Sequence, residues 1–353
     1  MSRADRLESV ARDEGLDALL VTNLVNVRYL SGYTGTNGLC VIGDGLRTFL
    51  TDFRYVTQAR HEVDGGFDRR QGRQDLLEDA AKSFPAGRVG FEDHHLTVRA
   101  HERLREFVPE GTELVPAGRL VERLRAVKEA EELARIREAA RLADEVLREL
   151  VERGLPGRTE RDVALELEDG MRARGSEPSF SSIVAGAANG ALPHARPGDR
   201  VIADGELVVV DLGCVVDGYC SDCTRTFATG PLPDDAADVY NLVLETQVAA
   251  LGEVRSGASC RGVDAFARER IEAAGQGERF GHGLGHGVGL EVHELPTLSR
   301  AAEGDLATGN VVTVEPGVYL PDRFGVRIED LVVVADRGRD VISTFPKELQ
   351  TVG

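Results

Sequence analysis

A nine-residue pattern occurs twice in this 353-residue chain, as GELVVVDLG at 205–213 and GNVVTVEPG at 309–317. Each copy is a Val-rich run that delivers one carboxylate, Asp211 or Glu315, just before a glycine. Short apolar runs bounded by Gly read as buried strands. A carboxylate at the end of such a strand is costly to desolvate unless something positive receives it. Between the two copies lies GHGLGHGVGLEVHE, and two buried acids beside a histidine point to a metal as the shared partner.

Each of these strands leads to a second acid. Asp211 is followed by Asp222 across VVDGYCSD, where Asp217-Gly218 is a strong two-residue hairpin signal between strand-forming residues. Counting back from that turn sets Val216 against Tyr219, Gly213 against Asp222 and Asp211 against Thr224. Asp211 and Asp222 then become diagonal neighbours on one face, roughly 7–8 Å apart at the backbone and closer at the carboxylates. Glu315 leads in the same way to Glu329, in FGVRIEDLVVV, through a turn at 321–325.

One such Asp alone reads equally well as a solvated strand end or an arginine partner. Four on two hairpins would raise one another's pKa values and destabilise the fold, whereas two divalent cations supply about the charge the cluster needs. Hard oxygen donors with one imidazole suit Mn, Co or Zn; Mn stands first, and supply and geometry decide among them. The candidate imidazole is His286, in a stretch where Gly281, Gly283, Gly285, Gly287 and Gly289 alternate with other residues and allow close backbone approach. No spacing there fits G-x-G-x-x-G, which sets aside a dinucleotide loop. On an extended segment His282 and His286 share a face, while His293 falls out of phase unless a bulge intervenes.

The rest of the chain reads as α+β in two domains. Strand patterns at 18–22, 38–43 and 47–52 and helix patterns at 52–63, 75–84 and 97–108 make an α/β beginning over 1–125. From 126 the order is helix, helix, strands, then helix, helix, strands again: helices over 128–154, from Thr159 to Gly175, from 234 to about 255 and after Ser259. The net charge of −18 opposes nucleic-acid and anionic-membrane partners. No run of about 18 apolar residues offers a membrane span, and MSRADRLESVARDEG has no signal-peptide core, so a cytoplasmic chain is expected. The five cysteines, Cys40, Cys214, Cys220, Cys223 and Cys260, form no secreted disulfide framework. Cys220 and Cys223 spell CxxC, but residues three apart on a strand face opposite ways, and no second CxxC completes a zinc site.

Asp211, Asp222, His286, Glu315 and Glu329, in the contexts VDLG, SDCTRTF, GHGLGHGVGLEVHE, TVEPGVY and RIED, resemble the ligand set of the pita-bread metallopeptidases of the aminopeptidase P and prolidase group. The resemblance implies a pita-bread catalytic domain over 126–353, a smaller creatinase-like N-terminal domain over 1–125, a homodimer, and a metal-dependent exopeptidase. Its substrates would be proline-containing peptides cut at the Xaa-Pro bond by a hydroxide bridging two metal ions. It also implies roles. Glu315 would pass protons between the water and the leaving nitrogen. His194, in ALPHARPGD, and His293 would contact the substrate carbonyl or the tetrahedral intermediate, and His282 would border the proline pocket. Arg327, two residues before Glu329 and so on its strand face, would brace metal-binding carboxylates. Tyr319 resembles a tyrosine near the active site of that group and reads equally as a packed strand residue.

One departure bears on substrate length. Several prolidases carry an arginine after HE-x-P that holds the dipeptide's carboxylate, whereas His293-Glu294-Leu295-Pro296 is followed here by Thr297. Arg300 is near enough in sequence to substitute. The expectation is therefore an Xaa-Pro aminopeptidase that also accepts dipeptides. The alternatives are a strict Xaa-Pro dipeptidase, a methionine aminopeptidase-like enzyme and a non-catalytic metal-binding module.

Overall fold

Local chemistry sets where the helices begin. In the computed structural model, which describes residues 1–353, the Thr159 hydroxyl accepts from the Asp162 amide and opens the Glu160–Ala173 helix. Ser259 does the same for Cys260–Ala273. The long charged helix runs Ala130–Arg153, and the third of these four helices runs Asp234–Glu253. No helix is long and apolar enough to cross a membrane.

The chain divides into two units, Met1–Arg125 and Ala126–Gly353. The first is built on a mixed six-stranded sheet of β1 (Ala18–Val21), β2 (Leu39–Gly43), β3 (Leu46–Thr51), β4 (Asp68–Gln71), β5 (Gly87–Phe91) and β6 (Thr112–Pro116), in the order β4-β3-β2-β1-β5-β6. Pairings β1/β2 and β2/β3 are antiparallel and the others parallel. Leu20, Val41, Leu50 and Val89 pack against Ala80, Ala81 and Leu104 from two helices. Strand β4 reads DRRQ and is exposed throughout; a polar edge strand carries no apolar alternation, so periodicity cannot find it.

In the second unit, helices Ala130–Arg153 and Glu160–Ala173 share a core with the antiparallel sheet of Ile183–Gly186, Leu207–Leu212 and Cys223–Ala228. Helices Asp234–Glu253 and Cys260–Ala273 share a second core with strands Val311–Val314 and Asp330–Val334 of a five-stranded sheet. The two halves are stitched together where the Glu329 amide donates to the Thr224 carbonyl and the Thr226 hydroxyl to the Arg327 carbonyl. All five cysteines are free and buried. Cys220 packs with Ile136 and Val288 and Cys223 with Val184 and Phe227, in separate cores and on strands of different sheets.

Candidate metal and peptide site

The first pair of acids is placed by the hairpin as its turn residues predict. Asp217 and Gly218 both adopt positive φ, 47° and 83°, as a tight twisted turn requires. The register sets Val216 against Tyr219 and Asp211 against Thr224. Strand Val311–Val314 runs antiparallel to Asp330–Val334, so Glu315 and Glu329 leave adjacent strand ends. His286 sits in Gly285–Gly287, between Val311–Val314 and Glu294–Leu298. Gly285 is obligatory there, because a side chain would collide with the Thr313 carbonyl.

These elements bring all five residues to one cavity of about 430 Å³. His286 Nε2 lies 3.2 Å from Glu315 Oε1 and 3.6 Å from Asp222 Oδ2. One donor atom each from Asp222, His286 and Glu329 fit within 4.8 Å of one another. The acids are held from behind: Thr224 donates to Glu329 at 2.8 Å, Thr313 to Glu315 at 3.0 Å and Arg327 to Asp211 at 2.7 Å. Asp211 Oδ1 and Glu329 Oε1, both buried, accept no hydrogen bond.

Electrostatics report the same crowding. Burial pushes Asp222 and Glu329 well above the usual carboxylate range, reinforced for Asp222 by the charge of Glu329 and for Glu329 by that of Glu315. Burial also raises Asp211, against the pull of Arg327. Burial opposes the charge of Glu315 too, but the hydrogen bond and charge of His286 outweigh it and hold this carboxyl at about 2. Burial disfavours a charged His286, yet Glu315 drives its pKa up to about 9.

Divalent cations fit this donor set. Buried carboxylate oxygens without partners normally mark an ion or a missing donor, and here two of them face a cavity with two further acids. The His286 Nδ1–H donates to the Gly287 carbonyl at 3.1 Å, which turns Nε2 toward Asp222 and Glu315, where a cation replacing its proton would be held, as a metal-binding imidazole requires. No thiol lines the cavity, so the donors are hard oxygens with one nitrogen.

His194, His282 and His293 line the same cavity, with His194 and His293 exposed. His293 reaches it through an irregularity: the register shifts between His286, opposite Thr297, and Gly287, opposite Glu294. The two extra residues on the far strand bring the His293 ring to 4.3 Å from that of His286. His282 has both nitrogens committed, Nδ1–H to the Gly283 carbonyl at 2.7 Å and Nε2 accepting from the Tyr319 hydroxyl at 2.9 Å. Its ring therefore presents carbon to the cavity.

Arg327, expected to brace metal-binding carboxylates, bonds Asp211, and its guanidinium also bonds Thr224, Tyr319 and the Pro193 carbonyl. Two expectations are corrected. Tyr319 is buried behind His282 and Arg327 and is not among the cavity-lining residues. Arg300 lines a separate hollow with Arg268 and Arg279, and no part of the site cavity.

Residues the sequence reading passed over hold the acids in place. Thr224, Arg225 and Thr313 are fully buried. Arg225 pairs with Asp330 at 2.9 Å and also donates to the Glu329 carbonyl and the Phe345 carbonyl, which locks the Glu329 backbone to the C-terminal segment. Spacing alone offered one signal, that Asp222, Thr224 and Thr226 alternate on a single strand face.

With this geometry in view, the comparisons with known proteins are specific. Residues 134–336 match metallopeptidase family M24, and residues 3–127 match the creatinase/prolidase N-terminal domain. The peptidase YqhT of Bacillus subtilis (strain 168) is 40% identical over 351 residues, covering 98% of this chain and 99% of its own length. The structure of an Xaa-Pro dipeptidase from Bacillus anthracis superposes with a TM-score of 0.95 at 38% identity, covering 99% of each chain. That of an X-Pro aminopeptidase from Thermotoga maritima MSB8 gives 0.90 at 34% identity over the full length of both.

Proposed function

Because this chain belongs to metallopeptidase family M24, with the family's creatinase/prolidase N-terminal domain and pita-bread fold, we propose that it hydrolyses Xaa-Pro bonds at the N-termini of proline-containing peptides. Asp211, Asp222, His286, Glu315 and Glu329 would hold two divalent ions, Mn first, with Co or Zn as alternatives. The observation that carries this reading is the pair of buried, unpartnered oxygens on Asp211 and Glu329, beside a histidine whose Nε2 is turned toward the same space. Divalent ions bound there would bring the pKa of a water down toward neutrality.

The protein's own groups account for the remaining work. Glu315 is ionised at neutral pH and close to His286, so it can take the proton of the attacking water and return it to the departing proline nitrogen. Burial and the neighbouring His286 lower the pKa of His293, which keeps its ring neutral at pH 7 and able to donate one N–H to the developing oxyanion. His194, across the cavity, supplies the second donor. Phe180, Ile183, Val292 and the carbon edge of His282 form the apolar wall against which a proline ring fits.

A panel of Ala-Pro, Ala-Pro-Ala and Met-Ala-Ala, assayed with added Mn or Co, tests the substrate class. Turnover of the proline peptides alone is expected; preference for Met-Ala-Ala would replace this reading with a methionine aminopeptidase, and bound metal with no turnover would make the chain a binding module. For the histidines, His194→Ala and His293→Ala are each expected to lower kcat by about 10²-fold with metal content unchanged. Metal loss measured in either variant would turn that residue into a ligand.

A further inference from the structure

The cavity holds four carboxylates and two arginines, and its two arginines differ in one respect. Arg327 is buried and spends its guanidinium on Asp211, Thr224, Tyr319 and Pro193. Arg196 is exposed and has no ion pair, hydrogen bond or ring contact. An uncommitted guanidinium is a forked donor suited to a carboxylate, and Arg196 is the one cavity arginine with its fork unused.

Its backbone is prepared for that role. Arg196 lies between His194 and Pro197 in Pro193-His194-Ala195-Arg196-Pro197. A following proline keeps Arg196 out of the helical region and in extended backbone. Ala195 is buried with Ile183 and Ala185, while its neighbours His194 and Arg196 are exposed, so the two share the opposite face of the segment. Arg327 anchors the same segment by donating to the Pro193 carbonyl at 3.1 Å. Arg196 is thereby presented beside His194, the donor assigned to the scissile carbonyl, on a short segment tied to the Asp211 end of the site.

We infer that Arg196 receives the free C-terminal carboxylate of an Xaa-Pro dipeptide. The carboxylate of such a substrate lies one residue beyond the scissile bond, at most about 3.6 Å of chain. His194 and Arg196 stand two residues apart on one face, at most about 7 Å of extended chain, and the long Arg196 side chain can lean back over that interval toward the carboxylate. The guanidinium thus takes the place of the arginine missing at Thr297, and Arg300, outside the cavity, takes no part. This inference rests on the Xaa-Pro reading and makes the dipeptide the favoured member of that substrate class.

The test compares Ala-Pro with Ala-Pro-amide, identical at the scissile bond but lacking the terminal charge, on the metal-loaded full chain. The wild type is expected to favour Ala-Pro by about tenfold or more in kcat/KM. Arg196→Ala should bring the ratio close to one, mainly through KM for Ala-Pro, and Arg196→Lys should restore part of it. A thermal melt of each variant checks folding, which an exposed, unpaired side chain should not disturb. A ratio unchanged in Arg196→Ala, or a wild type indifferent to the amide, overturns the assignment while leaving Xaa-Pro hydrolysis standing. Wild-type turnover of Met-Ala-Ala with none of the proline peptides overturns both.

Discussion

Glu329→Gln is expected to lower kcat/KM on Xaa-Pro peptides by at least about 10³-fold, beyond the 10–100-fold loss typical of groups that only orient a ligand. Gln keeps the volume and an acceptor for the Thr224 hydroxyl but removes the charge that the cluster would offer to a cation. The fold should survive for a specific reason. Glu329 is pushed toward its protonated form by burial and by Glu315, so a neutral side chain at this position relieves repulsion. In protein stripped by chelator, Glu329→Gln should melt no lower than wild type at pH 8, and on adding Mn only the wild type should gain. Full turnover in the variant with metal bound would remove Glu329 from the ligand set; collapse of the stripped variant would make its charge structural.

Metal removal should also change how stability depends on pH. The pKa of His286 is raised to about 9 in the folded chain from an unfolded value near 6.5. The folded state therefore binds more protons between those values, and stability present below about 6.5 is lost as pH rises through 9. Asp222 and Glu329, raised by burial, act in the same direction from the unfolded carboxylate range upward. Glu315, depressed to about 2, contributes stability above the carboxylate range that is lost only in strong acid. Chelator-treated protein is thus expected to fall in Tm between pH 6 and 9. Metal competes with these same protons, so added Mn should reverse that slope and release protons on binding. Calorimetry in buffers of different ionisation enthalpy measures the release, and parallel Tm profiles with and without Mn would contradict the assignment of these residues as ligands.

The sequence by itself determined the parts of this protein that depend on short-range periodicity. The repeated strand, the Asp217-Gly218 turn and the Thr159 and Ser259 caps are local, and they fix Asp211 opposite Thr224 and the helix-helix-strands order of each half. Tertiary structure decided whatever depends on departures from period two or on distant partners. His293 meets His286 because the chain turns back into an antiparallel partner and the register shifts by two residues, neither of which alternation counted along one extended segment can show. Arg327 serves Asp211, 116 positions away. Arg300, near Thr297 in sequence, lines a different hollow, while Arg196, far from it in sequence, lines the cavity. Side-chain periodicity sets which way a residue points within its own strand, but which side chains meet is settled by how strands from the two halves are stitched together, through bonds such as Glu329 to Thr224 and Arg225 to Asp330.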